Sequence, residues 1–335
     1  MTSLVGLLEK ISEKTILVIG DPILDISVYS EAIGLSLETP TLKTKKIVSS
    51  TTMGGAANVV KNCLALGAKC HFVTVLGDDE MCSNYENWMH DKLAISTAIE
   101  KRENVSKTRH WVRKSDRFYK QLQINTGDNT PISENSKECI SAVVKEIIDE
   151  CDALLLIDYQ NGIFSSKEFI ENLIQIAKEK NVPIICNSQK STNKSKQTWF
   201  SGVDLISMNE EEALGVDKNF KRDVSFLKDK LSSGICVTLG KNGSIISSLN
   251  DKEEYYCKSI EVEAKDTCGA GDAFLACLSL LDWKGSPMES LAISNTWAAL
   301  HVNKIGMDCP NKEDLIKLVK VLEHEQYKEP DSSGQ

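Results

Sequence analysis

The chain has 335 residues, 41% of them apolar and 26% charged, which fits one large α/β domain or two smaller ones of an ordinary soluble globular protein. A formal net charge of −9 argues against a nucleic-acid partner or an anionic-membrane surface, and the longest apolar runs, Ala153 to Ile157 and Ala273 to Leu278, are far too short to cross a bilayer. The 11 cysteines are odd in number and scattered, with no Cys-x-x-Cys pair; they read as small buried hydrophobes in a reducing cytoplasm, not as a zinc site.

In chain order, the N-terminus carries acidic Glu9 and Glu13 and no signal-peptide pattern. Ile16 to Gly20 reads as a buried strand running into Asp21. Residues 26–52 are rich in Ser, Thr and Lys and have no helical period. A helix is expected over 55–67, a strand over Cys70 to Val75 and a second helix over Met81 to Leu93. Residues 105–125 are again extended, with Phe118, Lys120, Leu122 and Ile124 on one face of a strand. Ile140, Val143, Val144, Ile147 and Ile148 mark a helical face before the strand Ala153 to Ile157. A helix with Phe169, Leu173, Ile174 and Ala177 then precedes the strand Val182 to Cys186. Short strands at Asp204 to Ser207 and Ile235 to Leu239 flank a helix carrying Val224, Leu227 and Leu231. Helices over 272–284, 287–304 and 312–323 close the chain, and the polar tail over 326–335 is expected to be disordered. This alternation predicts a doubly wound, mostly parallel sheet flanked by helices, an α/β fold. The two extended inserts can join into a small second sheet whose apolar face covers an active site or meets a second subunit.

Open α/β sheets bind ligands at the carboxyl ends of their strands. Asp21, Asp25, Asp158, Asn187, Asn209 and Gly240 all fall at such ends. Any one of them could be a turn former; the whole set on one edge points to a site. The most informative stretch is Asp266-Thr267-Cys268-Gly269-Ala270-Gly271-Asp272, followed by the apolar run from Ala273. It describes a loop of bare backbone N–H groups opening into a helix N-terminus, which favours anions. A carboxylate beside such a cradle suits a phosphoryl transferase that needs a base toward a hydroxyl. The bland alternative is a turn in which Asp272 merely caps the helix. His71, His90, His110, His301 and His324 have no ligand spacing and are assigned no chemistry.

Gly54-Gly55-Ala56-Ala57-Asn58 opens a helix, Asn209-Glu210-Glu211-Glu212 follows a strand, and Thr238-Leu239-Gly240-Lys241-Asn242-Gly243 follows the next. With the 266–272 stretch last, the chain resembles the ribokinase-like (PfkB) family of carbohydrate kinases over nearly all of residues 14–322. No P-loop or dinucleotide fingerprint occurs. The resemblance implies one kinase domain over 1–325, with a lid β-sheet from about 26–52 and 105–125 that is often shared across a homodimer. It implies Asp272 as base, with Gly269, Ala270 and Gly271 as an anion hole. Asn209 and Glu212 would organise Mg²⁺, partly through water. Thr238, Gly240, Gly243 and Asn295 would lie along ATP, and Asp25, Glu38, Gly54, Gly55, Asn58 and Arg109 would hold the sugar. A monovalent cation near Asp266 belongs to the same pattern.

Within the family the chain is most similar to the D-glycero-D-manno-heptose-7-phosphate kinases. The likeness rests on Gly20-Asp21-x-x-x-Asp25, Ser36-x-Glu38-x-Pro40, Lys107-Thr108-Arg109 and Asp158-Tyr159 with Gly162. A sugar already carrying a phosphate needs cations, and Lys107, Arg109 and Arg113 are available. The departures are Gly34 in place of an arginine, Gln121-Leu122-Gln123 in place of Arg-x-Asp, and Asn161 in place of a lysine. Asn187-Ser188-Gln189, with Lys190 adjacent, stands in place of Asp-Pro-Lys. Each loses charge on the substrate side. A kinase for another sugar, or a nucleotide- or sugar-binding regulator without turnover, is therefore the alternative. A dinucleotide oxidoreductase is disfavoured, because the glycine motif lies far from the first strand.

Overall fold

Strand β1 (Thr15–Gly20) sends Ile16 and Val18 to one face of a sheet and Leu17 and Ile19 to the other, and all four are fully buried. A strand covered on both faces is what a continuous apolar run encodes. The computed structural model describes residues 3–79, 82–88, 92–189, 196–304 and 308–326. Beside β1 run β4 (Lys69–Gly77) and β5 (Leu93–Glu100) on one side. On the other run β8 (Ala153–Asp158), β9 (Ile184–Ser188), β10 (Leu205–Asn209) and β11 (Gly234–Thr238), all parallel. Antiparallel β12 (Ser244–Ser247) and β13 (Tyr255–Cys257) finish the β11 edge, completing a nine-stranded sheet among the described residues.

One face of this sheet is covered by α1 (Leu4–Glu9), α2 (Ala56–Leu66), α8 (Ala270–Ser279), α9 (Pro287–Val302) and α10 (Lys312–Gln326), through Leu7, Val59, Phe274, Trp297 and Leu315. The other is covered by α4 (Glu134–Ile147), α5 (Lys167–Glu179), α6 (Glu210–Val216) and α7 (Ser225–Leu231), through Val144, Leu173, Ala213 and Leu227. The doubly wound architecture is thus two apolar layers divided by one sheet. Cys186 and Cys236 are fully buried within β9 and β11. Among the described residues no helix is long and apolar enough to cross a membrane.

A single residue, Asp21, separates β1 from β2 (Pro22–Leu35), where the chain leaves the large sheet. With β3 (Leu42–Gly55), β6 (Ser106–Lys114) and β7 (Arg117–Thr126), β2 forms a four-stranded sheet in the order β3-β2-β6-β7. The two extended inserts therefore do join. Their register corrects one expectation: Trp111 faces Lys120 but His110 faces Leu122, so Gln121 is an extra residue. That bulge reverses the alternation. Phe118 and Lys120 share a face with Arg113 and Trp111, while Leu122 and Ile124 lie on the opposite face with His110 and Thr108.

Two further expectations are revised. Of the predicted helix from Met81 to Leu93 the described residues hold α3 (Cys82–Glu86), and Leu93 opens β5; Met81 and residues 89–91 lie outside the described residues. The run Leu93-Ala94-Ile95-Ser96-Thr97-Ala98-Ile99 pairs with β4 from Cys70 to Leu76, so Leu93 joins a strand whose other residues the sequence pattern leaves without an element. Helix α8 ends at Ser279 rather than at 284, because Asp282 builds a tight turn: its side chain accepts from Gly285 N–H and its carbonyl from Ser286 N–H, ahead of Pro287 at the start of α9. Lys190, His90 and residues 327–335 of the tail lie outside the described residues.

Candidate active site

The 266–272 stretch is a loop followed by the first turn of α8, at the carboxyl edge of the large sheet. Gly269 takes φ +77°, the left-handed region glycine enters freely, and occupies the N-cap position. Asp272 is therefore the third residue inside the helix, and its carboxylate caps nothing; the capped-turn alternative is excluded. The amides of Gly269 and Gly271 have no partner among the described residues, while that of Ala270 reaches Thr267 O at 3.4 Å. Nothing lies within 4 Å of a Cβ added at Gly271, so this side of the cradle is open. Below the loop, buried His301 meets the Cys268 carbonyl at 3.0 Å, and Asp266 accepts from Cys268 N–H at 3.0 Å. Burial, then Asp266, pushes the Cys268 thiol up, the opposite of a reactive thiolate. Lys120 of β7 sits 3.8 Å from its Sγ.

Asp272 is buried. Its Oδ1 accepts from the Tyr159 hydroxyl at 2.6 Å and its Oδ2 from Asn58 Nδ2 at 2.8 Å. Burial raises its pKa to about 6, and the two hydrogen bonds oppose that rise. Asn58 lies in the first turn of α2, where its Oδ1 is buried without a partner among the described residues. Close by, Asp25 on β2 pairs with Arg109 on β6, and both are buried. Gly54 and Gly55 end β3 against this pair. A Cβ on Gly54 would lie 1.9 Å from Asp25 Oδ2; one on Gly55, at φ +61°, would lie 2.6 Å from Asp21 O. Gly55 admits only glycine, and a side chain at Gly54 would displace the Asp25 carboxylate from its pairing with Arg109.

The other strand-end carboxylates build the floor. Asp21 accepts from the N–H groups of Tyr159, Asn161 and Ile163 at 2.8, 3.1 and 3.2 Å, which folds the loop after β8 over β1. Burial, then the neighbouring Asp158, lifts its pKa to about 7. Asp158, also raised by burial, accepts from Ser188 Oγ at 2.7 Å.

On the α6 side a cleft of about 150 Å³ runs from Asp272 past Tyr159 to Asn187, Asn209, Glu212 and Thr238. Asn209 and Glu212 form a reciprocal cap, each side chain accepting the other's N–H at 2.8 Å. Burial raises Glu212 to about 7, and Asp272 adds to it. Among the described residues no three His, Cys, Asp or Glu side chains cluster as a metal cage. Gly240, at φ +57°, faces open space, whereas a Cβ on Gly243 would strike Cys257 O at 2.0 Å. Asn295 has its Oδ1 on Ser244 Oγ at 3.0 Å and its Nδ2 on Cys257 O at 3.1 Å, which ties α9 to the β12–β13 edge.

Asp25, Gly54, Gly55, Asn58, Arg109 and Asp272 are thus brought together, with Asn209, Glu212 and Thr238 across the cleft. Glu38 is not: it is exposed at the tip of the β2–β3 ribbon, roughly 30 Å along β2 from Asp25. Arg113 is turned to the surface, where it pairs with Glu31 at 3.0 Å. Trp111 packs inside the lid, stacked on Tyr29 with centroids 6.3 Å apart. Sequence reasoning gave no part to His301 or to the Tyr159 hydroxyl. His301 has no motif, and Tyr159 enters only as the neighbour of Asp158.

A profile of the pfkB family of carbohydrate kinases matches residues 13–314. Among curated proteins, the Bifunctional protein HldE of Bradyrhizobium diazoefficiens is 27% identical over 333 residues, covering 95% of this chain and 65% of that protein. The Bifunctional protein HldE of Helicobacter acinonychis is 29% identical over 344 residues, covering 94% and 71%. The chain therefore spans about two thirds of the length of these relatives. Among solved structures, phosphofructokinase-2 from Escherichia coli in complex with potassium superposes with a TM-score of 0.73 at 15% identity, covering 92% of this chain and 99% of that one. Arabidopsis thaliana ribokinase complexed with ribose and ATP gives 0.67 at 18% identity, with the same coverage.

Proposed function

Because the chain belongs to the pfkB family of carbohydrate kinases, we propose that it transfers the γ-phosphoryl of ATP to a hydroxyl of a phosphorylated sugar, with heptose 7-phosphate the first candidate acceptor. The observation that carries this reading is Asp272: a buried carboxylate inside the first turn of a helix, next to the Gly269 and Gly271 amides that have no partner among the described residues. A pKa near 6 leaves it ionised at neutral pH yet basic enough to accept a hydroxyl proton. In the proposed step the sugar oxygen forms a bond to the γ-phosphorus as the bond to the bridging oxygen breaks. The hydroxyl proton passes to Asp272, and the amides of Gly269 and Gly271 meet the charge on the transferring group.

Asp25 and Arg109, locked by Gly54, would orient the sugar hydroxyls, and the unpartnered Oδ1 of Asn58 would accept from one of them. Lys107 and Lys120 point from the inner face of the lid, over the Tyr159 and Trp111 rings at 5.1 and 6.0 Å. They are the cations we assign to the phosphate already on the acceptor. Glu212, a buried carboxylate with no ion pair among the described residues, fits a neighbouring cation. With Asn209 it would hold Mg²⁺, partly through water. Mg²⁺ would supply charge neutralisation on the nucleotide phosphates. Thr238 and Gly240 would border the nucleotide, with Gly243 and Asn295 holding that wall in shape. A monovalent cation beside Asp266, and a homodimer through the lid, complete the reading.

Lys107 and Lys120, which form no ion pair among the described residues, favour a phosphorylated acceptor, and the retained Asp272 cradle speaks against a binder without turnover. ADP release over a panel of sugars and sugar phosphates, heptose 7-phosphate included, tests this. The expected outcome is turnover with a phosphorylated sugar and little with its unphosphorylated form. No ADP with any member would favour the regulator.

A further inference from the structure

Tyr159 has a use that the functional assignment leaves open. It lies in the loop after β8, with its N–H on buried Asp21 at 2.8 Å and its hydroxyl on Asp272 Oδ1 at 2.6 Å. We propose that Tyr159 is a positioning residue for Asp272: its hydroxyl fixes the rotation of the carboxylate and favours the ionised, proton-accepting form. The proposal rests on the reading of Asp272 as base.

Three features of the site carry it. The carboxylate is held from both sides, by Tyr159 on Oδ1 and by Asn58 on Oδ2, so it cannot turn about its own axis without breaking one bond. Each oxygen keeps a second lone pair for the acceptor hydroxyl. The tyrosine is itself fixed, because Asp21 also binds Asn161 and Ile163 and makes the whole loop one unit. Lys107 of the lid lies 5.1 Å over its ring, which leaves the phenol between the lid and Asp272. Last, the phenol donates to the ionised carboxylate. Burial, then Asp272, pushes its own ionisation well above the usual tyrosine range, so wherever Asp272 is ionised the bond is a short O–H···O⁻ contact. Tyr159 transfers no proton; the proton from the sugar hydroxyl ends on Asp272.

The groups facing Asp272 come from five elements. Asp25 on β2 and Glu212 on α6 oppose its ionisation, while Lys107 on β6 and Lys61 on α2 favour it, together with the bonds from Tyr159 and Asn58. Tyr159→Phe leaves these charges in place and removes one donor to the ionised form. The Asp272 titration is then expected to rise by about one unit or more.

The test is a ¹³C NMR titration of carboxyl-labelled protein without ligands, with Asp272→Asn used to assign the Asp272 resonance. In Tyr159→Phe the Asp272 titration should move up, and the acidic limb of kcat/KM for the acceptor should move with it. An Asp272 titration that is the same in both proteins overturns the proposal. Should Tyr159→Phe fail to fold, the wild-type protein still decides. The Tyr159 Cζ resonance should follow Asp272 between about pH 5 and 7, and a Tyr159 signal indifferent to pH there overturns it. Full activity of Asp272→Asn would defeat the base assignment instead, a separate outcome from an unmoved Asp272 titration.

Discussion

Glu212 shows how much one residue at this site is asked to do. It closes the cap of α6 through Asn209 and at the same time presents a buried carboxylate whose pKa is lifted to about 7. Between the ordinary carboxylate range and that value, the folded protein keeps a proton the unfolded chain has lost. The associated stability is full at low pH and is lost as pH rises through about 7. Glu212→Gln keeps a capping acceptor but not the titration. Its melting temperature relative to wild type should therefore improve by on the order of a few degrees from about pH 5 to 8, read by calorimetry without nucleotide. A difference that stays flat with pH would contradict this. At this scale the sequence was most legible where backbone geometry leaves no choice. Gly55 is needed because it sits at φ +61° and a Cβ there would lie 2.6 Å from the Asp21 carbonyl. The hydroxyl of Tyr159 was not legible, because its partner lies 113 positions away and no local pattern encodes that meeting.

At the scale of elements, the parallel strands announced themselves because each is a short apolar run buried on two faces, as β1 and β8 are. β5 has no expected counterpart beyond Leu93, since its pairing with β4 is set by neighbours in space. The bulge at Gln121 could not be read at all, for a register is a property of two strands and not of one. Its consequence is physical: it turns Leu122 and Ile124, 53% and 45% exposed, to the outer face of the lid. Along the β2–β3 ribbon Ile33, Leu35, Leu42 and Ile47 are exposed as well. Such a surface is what the proposed lid-mediated dimer would bury. Light scattering is expected to give a dimer that Leu122→Lys with Ile124→Lys converts toward monomer; a wild-type monomer at micromolar concentration would contradict the lid-mediated dimer.

For the whole molecule, a sheet covered on both faces holds its carboxyl edge rigid, and the proposed chemistry is spread along that edge. Asp21 folds the loop of Tyr159, α2 brings Asn58, α6 brings Glu212, and α8 brings Asp272. The lid lays Asp25, Arg109, Lys107 and Lys120 over them. These groups converge on the Asp272 carboxylate, so the central claim is its role as base. It is tested most directly by single-turnover phosphorylation of the preferred acceptor by Asp272→Asn, with folding and nucleotide binding checked in parallel. The predicted result is a rate lower by roughly 10²–10⁴-fold with nucleotide binding kept, and a rate near that of wild type would contradict the account.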